Sequence, residues 1–125
     1  MTVSSINAST VAVTPGVPLS ISANTGTTYT LALTDAYKLL TFNNASAQTI
    51  SVPTNASAPF PIGTQINVAW ITGAGQPTIV AVTPLTTTIL STGGTSTSPK
   101  LRAVNSLATL AKIAVDTWLV VGDVS

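Results

Sequence analysis

The feature that most constrains the fold is a series of short segments in which large apolar residues occupy every second position. Tyr29, Leu31 and Leu33 follow this spacing in one segment, and Ile66–Trp70 repeats it in another. A period of two places these side chains on one face of a strand, and the abundant Thr, Val and Ile favour extended backbone. The chain is therefore predicted to be all-β.

Turn-forming residues separate these segments. Pro53–Gly63 is predicted to be a loop because it carries three prolines and a glycine, and Asn43–Ser46 is predicted to be a turn. About eight to ten short strands at this spacing are typical of an antiparallel β-sandwich or barrel. The main predicted strands cover residues 29–33, 38–42, 49–52, 65–71, 78–82, 85–90, 108–115 and 118–121.

The C-terminal part allows two interpretations. Ala108–Val115 and Trp118–Val121 form a hairpin in the first, with a turn at Asp116. In the second, Leu101–Ile113 is a helix, since its apolar residues also fit helical spacing. The absence of an obvious helix cap favours the hairpin.

Residues 1–26 are expected to form an extended arm or an edge strand beside a single β domain at 27–125. This region is rich in Ser, Thr and Asn and contains only weak strand candidates at Thr10–Thr14 and Val17–Ser22. A segment with few large apolar groups gains order mainly from a partner. The candidate contact residues in it are Val11, Val13, Pro15 and Val17.

Charge is scarce in this chain. Only 6% of its 125 residues are charged, glutamate is absent and the net charge is +1. Four unclustered cationic residues cannot neutralise many phosphates, so nucleic-acid binding is not expected. Weak like-charge repulsion favours a protein that works inside an assembly. The sequence contains no apolar run long enough to predict a membrane span, and the N-terminus does not resemble a secretory signal.

The residues that usually carry catalysis are also scarce. The sequence has neither histidine nor cysteine, which removes the most common base, the thiol nucleophile and the preferred zinc ligands. Asp35, Asp116 and Asp123 are interpreted as turn residues, although Asp35 and Asp116 could form a carboxylate pair. We therefore expect no enzymatic activity, no metal and no cofactor.

A glycine-rich segment at Gly73–Pro77 is predicted to be a hairpin turn, since both of its glycines can adopt positive φ. It does not match the dinucleotide-binding fingerprint, because Thr78 stands where the third glycine belongs. Three of its residues are further candidates for partner contact: Gly73, Gly75 and Gln76.

The six aromatic residues could serve the core or a sugar-stacking surface. Trp70 and Trp118 lie in apolar strand segments and are predicted to be buried. Tyr37 and Phe60 flank turns, which leaves the ligand-binding interpretation open for them.

Five segments carry a resemblance over about three quarters of the chain. They are Phe60–Ile66, Gly73–Gln76, Leu101–Ala103, Ala108–Ile113 and Asp116–Asp123. In this order they resemble a β-rich module of tailed-bacteriophage structural proteins, found in head-decoration proteins and at the ends of tail fibres.

The resemblance implies a virion component that commonly assembles as a homotrimer, and it carries no catalytic residue. A short chain with an N-terminal arm suits a capsid decoration, or cement, protein that sits on the capsid surface and binds the major capsid protein. The alternative is a tail-fibre or receptor-binding module that recognises host-surface glycans. Fold alone does not separate the two.

Overall fold

The computed structural model describes residues 18–92 and 97–125. The strand candidate Thr10–Thr14 and the candidate contact residues Val11, Val13, Pro15 and Val17 lie outside these ranges. The described part is built of strands with one turn of 3₁₀ helix at Leu33–Asp35, so the all-β prediction is confirmed. The strands are β1 (Ile21–Asn24), β2 (Thr28–Thr30), β3 (Leu39–Asn43), β4 (Gln48–Val52), β5 (Gln65–Thr72), β6 (Pro77–Ala81), β7 (Thr88–Leu90), β8 (Leu107–Ala114) and β9 (Thr117–Gly122).

The chain alternates between two sheets. Strands β1, β3, β5 and β7 belong to a six-stranded sheet in the order β1-β3-β5-β8-β9-β7, whereas β2, β4 and β6 form a three-stranded sheet. Each passage from the first sheet to the second and back adds one parallel strand to each. The first six strands are therefore three successive chain turns stacked on one another, as in a solenoid.

The prediction that the strands pair in an antiparallel manner is wrong for most of the fold. Only β5–β8 and β8–β9 are antiparallel, and the other five pairings are parallel. Alternation within a strand shows which face is buried but carries no information about the direction of the neighbouring strand. The hairpin expected at Gly73–Pro77 is wrong for the same reason, since this segment takes the chain from β5 in one sheet to β6 in the other.

Both sheets contribute to one buried cluster. In the three-stranded sheet, Tyr29, Ile50 and Ile79 lie side by side in register. In the six-stranded sheet, Leu40 and Val68 form the corresponding row. Rows of matched apolar side chains are what the parallel stacking of successive chain turns requires.

Both tryptophans are buried, as predicted. Trp118 is 1% exposed and packs edge-to-face on Phe60, with ring centroids 5.3 Å apart. Trp70 is 8% exposed, and its indole N–H donates to the carbonyl of Gly73 at 3.0 Å. Phe60 is also buried, which removes it from the candidates for sugar stacking.

The C-terminal hairpin interpretation is confirmed, and the helix across Leu101–Ile113 is wrong. Strands β8 and β9 pair in an antiparallel manner around a turn at Asp116, whose φ of 56° is a left-handed conformation that aspartate tolerates better than most residues. The apolar residues of this segment fit helical spacing only by coincidence. Two of them, Ala108 and Leu110, also fit the period of two that is typical of a strand.

The connections between the two sheets are also stacked on one another. The Asn44 side chain donates to the carbonyl of Thr25 at 2.6 Å, and the Gly75 N–H donates to the carbonyl of Asn44 at 2.8 Å. A Cβ atom added to Gly75 would lie 1.7 Å from the carbonyl oxygen of Ser46. The backbones of successive chain turns therefore approach too closely for any residue other than glycine.

Replacing Trp118 with alanine should lower the free energy of unfolding by about 3–5 kcal/mol, because the change empties a large site in the core. Denaturant unfolding monitored by circular dichroism measures the loss. Val115→Ala, at a position 62% exposed, is the control and should change the midpoint little. An unchanged midpoint for Trp118→Ala would contradict the packing.

Gly75→Ala should lower the free energy of unfolding by about 1–3 kcal/mol, the usual cost of overpacking, because the new methyl group meets the backbone of Ser46. Gly26→Ala is a matched control, since the nearest atom to its added Cβ is 3.8 Å away. The same denaturant titration applies to both variants. Equal effects of the two substitutions would show that the connections do not contact as described.

Candidate interaction surface

The outward side of the six-stranded sheet is mostly apolar, and its rows carry no charged side chain. Side chains that point away from the core follow three rows set by the strand register. We call this surface the outer face. Its rows are Ile21–Leu39–Asn67–Thr109–Val121, Ala23–Thr41–Ala69–Leu107 and Gln65–Ala111–Leu119–Leu90.

Large apolar groups on the outer face are accessible to solvent. Ile21 is 68% exposed, and Leu107 and Val121 are each 47% exposed. They lie on β1, β8 and β9, so they are spread over the sheet rather than confined to one edge. Exposed apolar side chains on a sheet face that carries no charge are compatible with an interaction site.

Charged groups of the described residues lie elsewhere. Arg102 and Asp123 form an ion pair, with Nε 2.7 Å from Oδ1, just after the end of β9. The guanidinium and the Ser106 hydroxyl hold the pKa of the Asp123 carboxyl below its usual range. This exposed pair contributes little to stability, but it places a polar boundary next to the apolar rows.

Sheet edges provide a second kind of contact. Among the described residues, strands β1 and β2 each have no partner at one edge. The corresponding edge of β6 is covered by Pro99–Leu101. Open edges present unpaired N–H and C=O groups that can accept a further strand. Residues 21–24, which the sequence analysis placed within the arm, form β1 itself.

The predicted contact residues of the glycine-rich segment have structural roles. Gly73 and Gly75 lie against the backbone of Asn44 and Ser46, and the Gln76 side chain donates to the carbonyl of Leu101 at 3.0 Å. Gly75 is buried and its two companions are half-buried. Their contact with a partner stays a prediction.

The sequence analysis missed a buried lysine. Lys112 is 2% exposed, and its Nζ donates to Oδ1 of Asn55 at 2.6 Å and to the carbonyl of Phe60 at 2.7 Å. Burial lowers the pKa of Lys112, and the negative charge of Asp116 opposes part of that effect. The signal was present in the alternation, because Ala108, Leu110 and Lys112 share the inward side of β8.

Asp116 is connected to the same cluster. Its Oδ1 accepts the backbone N–H of Asn55 at 2.6 Å and the hydroxyl of Thr87 at 3.3 Å. The nitrogen of Lys112 lies 6.0 Å from the centre of the Trp118 ring. The cluster therefore joins the loop after β4 to the β8–β9 hairpin.

Asp35 serves the 3₁₀ turn. Its Oδ2 accepts the Tyr29 hydroxyl at 2.7 Å and the backbone N–H of Ala32 at 2.8 Å. Burial, followed by the hydrogen bond to Asp35 and the charge of Asp35, raises the pKa of Tyr29 to about 12. Asp35 and Asp116 bind different partners, and each lies in or beside a turn as the sequence indicated.

Other chemistry-bearing features are few in the described ranges. There is no group of three metal-ligating side chains at 18–92 or 97–125, and no helix there is long and apolar enough to span a membrane. A cleft of about 220 Å³ between β6 and β7 has no charged residue in its lining. Its lining residues are Val80, Ala81, Pro84, Thr87, Thr88, Ile89, Thr97 and Ser98.

No protein-family model matches this chain, and no curated protein matches it. The case for a function therefore rests on the outer face, the sheet edges and the resemblance carried by the sequence segments.

The stability of the protein should fall as the pH rises from about 10 to about 12. Tyr29 loses its proton near pH 10.0 in the unfolded chain and only near 12 in the folded one, so its contribution is complete below 10 and is lost through that interval. Tyr29→Phe should remove this part of the fall in unfolding free energy. Tyr37→Phe, at an exposed position, is the matched control. Identical pH profiles for Tyr29→Phe and the unchanged protein would contradict the assignment.

Proposed function

We propose that the chain is a structural, non-enzymatic component of a tailed-phage virion, namely a capsid decoration protein that binds the assembled head and stabilises contacts between capsomers. The observation that carries the proposal is the uncharged outer face of the six-stranded sheet. The phage-module resemblance supplies the biological setting, and the geometry supplies a surface suited to permanent contact.

The outer face is suited to association because binding there removes apolar area from water without removing a charge. Each Å² of apolar surface covered contributes about 25 cal/mol before the costs of association. A buried unpaired charge would cost several kcal/mol, and the rows contain none. Ile21, Leu107 and Val121 supply the most exposed apolar area.

The surface can serve the major capsid protein, further copies of the chain, or both. A homotrimer is the assembly that the resemblance implies, and capsid lattices offer repeated sites that several linked copies can occupy together. Simultaneous attachment raises avidity well above the affinity of one contact. The open edges of β1 and β2 would add backbone hydrogen bonds to such contacts.

We further propose a sandwich-type arrangement of the two sheets. Both sheets contribute to a single buried cluster, and the strand order of each is linear. Such a body leaves one broad face of the six-stranded sheet for a partner.

The alternative, a fibre module that binds glycans, has less support from the aromatic residues. Sugar recognition commonly uses exposed aromatic rings, and Tyr37, at 57% exposed, is the single exposed one of the six. Trp70, Trp118, Phe42 and Phe60 are buried in the core.

Adding the protein to bare capsids of the phage that encodes it should give saturable binding and raise the temperature at which the shell opens. Val121→Lys should weaken binding at least tenfold and remove most of the rise in temperature, because it replaces one of the most exposed apolar groups of the outer face with a charge. Leu85→Lys introduces the same charge at a fully exposed position outside the face and should bind normally. Capsid occupancy measures binding to the shell, and light scattering of the free protein measures its self-association.

Two outcomes would separate the alternatives. If the protein leaves the capsids bare but binds specific glycans on an array, the decoration role is wrong and receptor binding takes its place. If the Val121 and Leu85 variants bound capsids equally well, the contact with the capsid would not lie on the outer face. A chain that lacks residues 1–17 retains every described strand, so it tests the contribution of the predicted contact residues Val11, Val13, Pro15 and Val17.

A further inference from the structure

The environment of Lys112 is unusual for a buried lysine. Lysine is almost never fully buried unless it is paired with an opposite charge. The ion pair between Arg102 and Asp123 is the single one within 18–92 and 97–125, and Lys112 instead contacts a side-chain amide and a backbone carbonyl. Nζ is therefore held directly against the side-chain carbonyl group of Asn55.

We propose that Lys112 and Asn55 form an intramolecular isopeptide bond. Nζ of Lys112 lies 2.6 Å from Oδ1 of Asn55, the oxygen bonded to the carbon that the amine would attack. This inference is independent of the proposed function, since it concerns the interior of the chain.

The reaction is a transamidation that balances without an external reactant. The unprotonated Nζ attacks Cγ of Asn55, and a C–N bond forms while the amide carbonyl becomes a tetrahedral oxyanion. Nζ gives up a proton, Nδ2 accepts one, the Cγ–Nδ2 bond breaks and ammonia leaves. The products are one secondary amide and one ammonia, so no electron is gained or lost.

The surroundings favour each part of this reaction. Burial lowers the pKa of Lys112 and so increases the unprotonated, nucleophilic fraction of its amine. The centre of the buried Trp118 ring lies 6.0 Å from the amine and the Phe60 ring packs on Trp118, which limits competition from water. Asn55 is half-buried, which gives ammonia a route to solvent.

Asp116 is assigned the role of proton carrier. Its carboxylate holds the backbone N–H of Asn55 at 2.6 Å, and its charge is the one that acts on Lys112. The carboxylate forms no ion pair with Nζ in this structure, so it would have to approach the amine to take its proton and return it to the leaving nitrogen. Asn in its place would keep the hydrogen-bond acceptor and the left-handed turn but could not carry the proton.

The bond would join two segments 57 residues apart in the chain, the loop after β4 and strand β8. That loop also contacts the six-stranded sheet through the Phe60 ring on Trp118, the Asp116 carboxylate on Asn55 and the backbone hydrogen bond from Gly63 to Lys112. A covalent link that closes a loop of this length restricts the unfolded chain strongly.

The intact mass of the folded full-length chain is the first test. The bond predicts a mass about 17 Da below that of the sequence, the mass of one ammonia lost on nucleophilic displacement. Proteolysis and tandem mass spectrometry should then recover one branched peptide that contains both Asn55 and Lys112. A full mass after prolonged incubation, with separate unmodified peptides, would overturn the proposal.

Variants identify the reacting groups. Lys112→Met and Asn55→Ala should restore the mass expected for each variant sequence, and Asp116→Asn should slow bond formation at least tenfold. Lys100→Met, at an exposed position, should keep the deficit. A deficit that persists in Lys112→Met would indicate an asparagine succinimide and would refute the isopeptide bond. The branched peptide of the unchanged chain decides the question even where a variant does not fold.

Discussion

The stacking of successive chain turns is the constraint on which the rest of the structure depends. Each turn contributes one strand to each sheet, so a side chain in the core must match the residues above and below it in register. Tyr29, Ile50 and Ile79 satisfy this in one sheet, and Leu40 and Val68 in the other. The close backbone approach at Gly75 follows from the same requirement, because the connections have to stack at the same spacing as the strands.

Stacking of this kind also explains the surfaces that remain open. A solenoid-like body needs a cap at each end of its stack, and here the antiparallel β8–β9 hairpin continues the six-stranded sheet beyond β5. At the opposite end, the edges of β1 and β2 have no partner among the described residues. The uncharged outer face and the open edges of the first turn are the surfaces that the proposed assembly would cover.

Sequence patterns predicted what depends on local chemistry. The segment at Trp118 alternates clearly and follows an aspartate suited to positive φ, so the hairpin and the buried ring could both be predicted. The parallel pairing could not, because direction depends on where a connection leads, and Gly73–Pro77 has the same composition whether it reverses a strand or crosses between sheets. The outer face could not be predicted for a related reason: Leu39 and Val121 come to lie in one row only through the strand register.

At Lys112, two features of the sequence give opposite predictions of burial. The period of two assigns it to the core, whereas its charge suggests the surface, and composition alone gives no way to choose. The loop that faces it resolves the conflict. That loop contains Pro59 and Pro61, which have no backbone N–H, so the carbonyl of Phe60 needs a donor from outside its own segment. A lysine amine provides three donors and requires no acceptor of its own. A hydrophobic residue at this position would pack without cost to the core but would leave that carbonyl and the Asn55 amide without a partner. The lysine is therefore best understood as a connection between loop and sheet, which is also the arrangement that brings its nitrogen against the side-chain carbonyl of Asn55.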